Sequence, residues 1–298
     1  MKQYKVGCDP EFVIRDWRKK AHDFEEFWGN TVGWHDCDEK YEAEIGTDGD
    51  TFLGELRPAP GTPKEVVNRL GELLNRLLFL GFYPDILSPN NPSVGGHIHL
   101  EDKGQSAEFL NILAMFHWYK VSLPLYRIRT LASIKRHRHA WGFWERKDWG
   151  YELRTPSSAW ILSPDLALWA LEKTIETRDE VMFLTIGDYI KIQEKYHKIS
   201  RFDPMKDSWK KEIRKIIQER DNILGEDTSW MEEYNYGNNK YIPYNWFDIE
   251  PIIFKRKRGE GIIWTPSHIE EKKIRGIKKE SGRIVIGNMT YHPCHSIF

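Results

Sequence analysis

Four times between residues 9 and 154 the chain sets polar residues two positions apart inside a stretch that otherwise reads as a strand: Asp9 with Glu11, Glu55 with Arg57, His97 with His99, and Glu152 with Arg154. In a strand, residues i and i+2 point to the same face. Each pair therefore projects into one space, and charge buried there costs free energy unless the groups meet a metal or each other. With the strands side by side, the pairs line one sheet surface with two imidazoles, two arginines and, counting Asp48, five acids. The chain must fold so that this surface is useful and its other face is covered.

The flanking sequence supplies that cover. Residues 3–15 read as a strand, in which Pro10 must sit at an edge, a bulge or a bend. Asp48-Gly49 signals a tight turn before a short strand, Thr51 to Arg57, which indicates an antiparallel arrangement. Pro63 opens an amphipathic helix ending near Gly81, with Val66, Leu70, Leu73, Leu74 and Leu77 on one face. A loop over 84–93 leads to the strand Gly96 to Leu100, and a second apolar helix covers Ala107 to Val121. The basic, aromatic stretch Ile134 to Trp149 reads as a loop before the strand Tyr151 to Thr155. Helices are expected near 165–180 and 205–222, the latter with Asp203 before Pro204 as its N-cap. Beyond residue 225 the pattern is irregular, with short strands such as Arg283 to Ile286, so residues 1–225 are read as a catalytic domain and 226–298 as an aromatic, basic extension packed on it.

Composition narrows the classes. No run of about 18 apolar residues could cross a bilayer and no apolar leader follows Met1, so the protein is expected in the cytoplasm without a membrane partner. Cys8, Cys37 and Cys294 form no CxxC pair and are expected to be reduced bystanders. The formal net charge is −1, but residues 1–60 carry 14 acids against 8 Lys and Arg, and residues 251–298 carry 10 Lys and Arg against 4 acids. An acidic front can hold metal; a basic tail can meet an anion.

Carboxylates are the hard oxygen ligands Mg²⁺ requires, a histidine can take one position when Mn²⁺ substitutes, and arginine forks neutralise phosphate. The set therefore suits a magnesium nucleotide and phosphoryl transfer. No pair is specific by itself. With 11 histidines in 298 residues, an HxH is expected by chance about 0.4 times, and a second one, His137 with His139, occurs in the basic stretch. The glycines before His97 and the apolar Ile98 and Leu100 set the first pair apart, as in a strand that a ligand approaches closely.

In order and combination, Gly7-Cys8-Asp9-Pro10-Glu11-Phe12, Asp48 to Pro58 with Gly54-Glu55-Leu56-Arg57, Gly95-Gly96-His97-Ile98-His99-Leu100 and Tyr151-Glu152-Leu153-Arg154-Thr155-Pro156-Ser157-Ser158 resemble the carboxylate-amine ligases, in particular the phage-type COOH.NH2 ligase group of amidoligases. That group falls within the superfamily of glutamine synthetase and glutamate-cysteine ligase. The resemblance covers residues 3–160. It implies an α+β, glutamine-synthetase-like catalytic fold, a curved antiparallel sheet flanked by helices, holding ATP with Mg²⁺ or Mn²⁺. It further implies metal ligation by Asp9, Glu11, Asp48, Glu55, His97 and Glu152, and catalytic roles for Glu11, Glu55, Arg57 and Arg154. Nucleotide contacts are implied for His97, His99, Arg136, Arg138 and Arg154. Asp9 stands where the family has a glutamate, with Pro10 between the acids, so the shorter arm leaves Glu11 as the surer ligand.

The implied reaction activates a small-molecule or peptide carboxylate as an acyl phosphate, which an amine then converts to an amide. Two rivals stay open on the residues alone. One is a metal-dependent phosphodiester hydrolase built on the same acids and histidines. The other is a nucleic-acid-binding module built on Lys255, Arg256, Lys257, Arg258, Trp264, Lys272, Lys273 and Arg275. Related folds occur as monomers and as rings, so the assembly state is open too.

Overall fold

The first strand organises the sheet because it serves two sets of partners. In the computed structural model β1 (Val6–Asp16) pairs through Val6–Pro10 with β5 (Gly96–Glu101), then through Glu11–Val13 with β3 (Leu53–Arg57) and through Val13–Asp16 with β4 (Phe82–Asp85). The structure describes residues 4–16, 44–47, 53–79, 82–85, 95–101, 104–128, 143–147, 149–185, 187–188, 190, 209–234, 249–256, 259–266, 278–280, 283–286 and 289–291. With β2 (Glu44–Thr47), β6 (Trp144–Lys147) and β7 (Gly150–Leu153), the order is β2-β3-β1-β5-β7-β6, with β4 joined to β1, in a seven-stranded sheet whose neighbours are all antiparallel.

Pro10 lies in a central strand, not at the sheet's edge. It is the last residue paired with β5, and the ladder to β3 begins at Glu11. A residue without an N–H is tolerated there because the ladder is changing hands.

Alternation sorts the strands into two faces. Val6, Cys8 and Phe12 of β1, Leu56 of β3, Ile98 and Leu100 of β5, and Tyr151 and Leu153 of β7 enter one hydrophobic core. The core is completed by α1 (Pro63–Phe79), α2 (Ala107–His117) and α3 (Pro164–Met182), with α1 and α2 packed against α3 and α3 against β5. Each start is capped as its sequence dictates. Thr62 and Glu65 exchange hydrogen bonds at α1, Glu65 Oε2 accepting from the Thr62 N–H at 2.7 Å and Thr62 Oγ1 from the Glu65 N–H at 3.3 Å. Ser106 and Ser163 cap α2 and α3 by accepting from the backbone N–H three residues on. Val66, Leu70, Leu73 and Leu74 of α1 are fully buried, as its periodicity predicts; the side chain of Leu77, and Gly81, lie outside the described residues.

Two departures from the sequence reading concern length and type. The second helix continues beyond His117 as a π-helical turn, Trp118–Ser122, and a 3-10 turn, Pro124–Arg127. The stretch read as a loop over 134–149 contains β6, and β4 occupies the start of the loop read over 84–93. The helix expected near 205–222 is α4 (Trp209–Leu224); Asp203 and Pro204 lie outside the described residues. After the 3-10 turn Ser229–Tyr234, β8 (Ile249–Arg256) and β9 (Gly259–Pro266) form a hairpin, and β10 (Lys278–Glu280), β11 (Arg283–Ile286) and β12 (Met289–Tyr291) form a three-stranded sheet. Of the basic residues considered there, Lys255 and Arg256 fall on β8 and Trp264 on β9, whereas Lys257, Arg258, Lys272, Lys273 and Arg275 lie outside the described residues. No helix among the described residues is long and apolar enough to cross a membrane.

The π turn matters to packing because it leaves carbonyls that α4 satisfies. Arg220 donates to the Tyr119 carbonyl at 3.1 Å and the Lys120 carbonyl at 3.0 Å, and to Asp221 Oδ1 at 2.6 Å. Asp221 Oδ2 accepts from Arg127 at 2.9 Å and from the Thr228 hydroxyl at 2.8 Å. Burial pushes the Asp221 carboxyl up, but Arg220, Thr228 and Arg127 outweigh it and hold it below its ordinary value. Breaking such a buried pair from one side leaves uncompensated charge. Asp221→Asn is expected to cost about 3 kcal/mol in urea unfolding at pH 7. Because the folded pKa is depressed, the contribution is present above about pH 4 and is lost as pH falls through the lower folded value, so variant and wild type should converge on acidification.

Candidate active site

The face of the sheet opposite the helices carries the polar pairs, and the strand register fixes how they meet. Asp9 stands opposite His97, Glu11 opposite Glu55, and His99 is flanked by Gly7 on one side and Glu152 on the other. The sequence puts these residues on one face by alternation alone.

At the centre is the buried imidazole of His97. Its Nδ1 lies 2.8 Å from Glu152 Oε1 and 3.2 Å from Asp9 Oδ1, and its Nε2 lies 3.6 Å from Glu11 Oε1. His99 Nε2 sits 3.1 Å from Asp9 Oδ2. Burial pushes the Asp9 carboxyl up, but the neighbouring His99 and His97 hold it well below the usual carboxylate range. Glu152, only 1% exposed, is likewise driven up by burial and drawn below its ordinary value by its contact with His97.

Backbone contacts anchor the cluster. Glu11 Oε2 accepts from the Gly95 N–H at 2.6 Å, and the Ser158 hydroxyl contacts the carbonyls of Glu11 at 2.6 Å and Gly95 at 2.5 Å. Trp160 Nε1 donates to the Gly96 carbonyl at 3.0 Å. A Cβ on Gly96 would stand 2.3 Å from Trp160 Nε1 and 2.6 Å from the Ser157 carbonyl, so the residue before His97 has to be glycine for the strand to lie this close.

Cations stand round the acids. Arg57 donates to Glu55, its neighbour two residues back on β3. Arg154 lies 3.4 Å from Glu152 and donates to Glu145 at 2.6 Å, and Lys147 Nζ lies 2.8 Å from Glu152 Oε2. Glu145 and Lys147 form a fifth polar pair at two-residue spacing, on β6, which reading 134–149 as a loop concealed. The same rule finds it once the stretch is a strand. Trp149, also within that stretch, packs its ring 5.9 Å from that of His99 and against Gly7.

Asp9, Glu11, His97, His99 and Glu152 are thus brought together, with Arg154 beside Glu152 and the Glu55–Arg57 pair on the adjoining strand. Asp48, Arg136 and Arg138 lie outside the described residues. Asp9, His97 and Glu152 each offer a donor atom within 4.8 Å of the others. Asp9 Oδ1 and both Glu152 oxygens are buried yet make no hydrogen bond of normal geometry, despite their short ion-pair distances. Two carboxylates and an imidazole, crowded but not aligned on one another, are a fitting donor set for a hard divalent cation.

The family described as phage phiEco32-like COOH.NH2 ligase-type 2 matches residues 6–222, a span holding every one of these side chains. The chain belongs to that family. At the level of the family's name it is therefore a carboxylate-amine ligase, acting on a carboxylate and an amine. A search of curated proteins found no match.

Removing the central imidazole should invert the pH behaviour of this carboxylate-amine ligase. In the wild type the depressed folded pKa values of Asp9 and Glu152 give stability that is present above about pH 4 and lost as pH falls through them. In His97→Ala, burial and mutual repulsion dominate, raising those values. Stability is then expected to fall by about 2 kcal/mol relative to wild type as pH rises from 4 to 7. Urea midpoints at several pH values in chelator-treated buffer check this; parallel profiles would show that His97 does not hold the carboxylates.

Proposed function

We propose that the ligase consumes ATP with Mg²⁺, activating its carboxylate substrate as an acyl phosphate, on a glutamine-synthetase-like catalytic fold spanning residues 1–225 with residues 226–298 as an extension. The observation that carries this reading is the convergence of Asp9, Glu11 and Glu152 on His97, with arginines beside the acids, in a family of carboxylate-amine ligases. Acids inside and arginines beside them are what a metal-bound triphosphate needs.

In this reading Asp9, Glu11, His97 and Glu152 hold metal, with Glu55 and Asp48 as further acids. Bound Mg²⁺ would neutralise phosphate charge and orient the γ-phosphoryl group. His99 steers the Asp9 carboxylate. Arg57 and Arg154, with Arg136 and Arg138 as further candidates, take up charge on the transferring phosphoryl group. A substrate carboxylate oxygen attacks the γ-phosphorus and ADP departs; the amine nitrogen then attacks the acyl carbon, inorganic phosphate departs, and the amine gives up its proton. No side chain need become covalently attached.

Thermal unfolding with a non-hydrolysable ATP analogue tests this without knowledge of the substrates. At about 100 times its Kd a ligand adds about 2.7 kcal/mol to native stability. The expectation is stabilisation that requires Mg²⁺ in the wild type and disappears in Glu11→Gln and Arg154→Ala. Stabilisation by metal alone, with none from nucleotide, would overturn the ATP-dependent reading.

A further inference from the structure

Lys147 occupies a position that neither its neighbours nor the polar pairs on the other strands share. It ends β6, where Trp144 and Arg146 turn to the helical side, Trp144 Nε1 donating to Asn111 Oδ1 at 2.8 Å and Arg146 to the Gln105 carbonyl at 3.2 Å. Glu145 and Lys147 consequently share the face of Glu152. Lys147 Nζ lies 2.8 Å from Glu152 Oε2 and 3.8 Å from Glu145 Oε2. Its own side chain is 37% exposed, whereas that of Glu152 is 1% exposed. A flexible, solvated ammonium thus reaches inward to a buried carboxylate that belongs to the three-residue donor set.

Across the β6–β7 pairing this side chain faces no Cβ. Lys147 stands opposite Gly150, which has no side chain to block movement over β7. Arg154 differs because its guanidinium also donates to Glu145 at 2.6 Å. Lys147 carries its charge on a flexible four-carbon stem, which lets it move between a carboxylate and a phosphate.

We propose that Lys147 is an exchange cation: it balances Glu152 while that carboxylate has no metal, yields it when a divalent cation binds, and then contacts a phosphate oxygen of the nucleotide. This rests on the reading of the site as a metal and nucleotide site. It makes the ammonium a competitor of the metal and an ally of the triphosphate, two opposite effects that a passive surface ion pair would not have.

Mn²⁺ binding by isothermal titration, and binding of a non-hydrolysable ATP analogue in saturating Mg²⁺, should be measured for the wild type, Lys147→Gln, Lys147→Arg and Glu152→Gln. Lys147→Gln is expected to bind Mn²⁺ about fivefold more tightly and the nucleotide about fivefold more weakly, while Lys147→Arg stays near wild type in both. Unchanged or weaker Mn²⁺ binding in Lys147→Gln, alongside wild-type binding that Glu152→Gln loses, overturns this proposal and leaves the metal reading standing. Absence of Mn²⁺ binding in the wild type overturns both. Circular dichroism of Lys147→Gln separates any of these results from misfolding.

Discussion

Three carboxylates gathered round one buried imidazole form the constraint on which the rest of the structure depends. Like charges that close cannot remain ionised in a protein interior unless counter-charge is supplied. Lys147 and Arg154 supply it from the sheet's far edge, and His97 and His99 set ring nitrogens against the acids from one strand. The backbone adds the rest, with the Gly95 N–H on Glu11. Gly96, whose Cβ would collide with Ser157 and Trp160, lets the start of β5 lie against the segment that carries Ser158, whose hydroxyl contacts the Glu11 and Gly95 carbonyls. Glycine spacing, polar spacing and burial are thus one requirement seen at three levels.

The changeover within β1 serves the same end. A strand paired to the same neighbours throughout would place Asp9 and Glu11 between the same two strands. Here Asp9 faces His97 across the β5 ladder, while Glu11 faces Glu55 across the β3 ladder. Pro10 is compatible with the point where one ladder ends, and the two acids on either side of it both reach the His97 imidazole. The core supports this from below. Cys8 and Phe12, alternating with the two acids, are buried, and burial together with the charges of Asp9 and Glu55 pushes the Cys8 thiol far up, which keeps it inert.

Most of this was legible in the chain because periodicity is a physical requirement. Polar pairs on strands and the apolar stripe Val66-Leu70-Leu73-Leu74 on α1 report which face meets what, and both readings hold. Pro63 as the first residue of α1 is equally local. What escaped was non-local. Trp144-Glu145-Arg146-Lys147 is too polar to look like a strand, since as an edge strand it buries little and depends on pairing with β7 for its conformation. The π turn after His117 escaped for a related reason. Its unusual hydrogen bonding is made good by Arg220, about a hundred residues away, and no local pattern announces such a partner.

Buried carboxylates in the same chain end in two different states of hydrogen bonding. Asp221 uses both oxygens, accepting from Arg220, Arg127 and the Thr228 hydroxyl. It behaves as a structural charge, closed on its partners. Glu152 is at least as deeply buried, yet neither of its oxygens is engaged in a hydrogen bond of normal geometry, and Asp9 Oδ1 shares that condition. A fold able to satisfy Asp221 so completely has no difficulty with satisfaction in general. Groups left short of it, drawn toward a common point on the face of the sheet away from the core, are the ones to which the proposed function gives a use, as ligands of a metal-bound nucleotide.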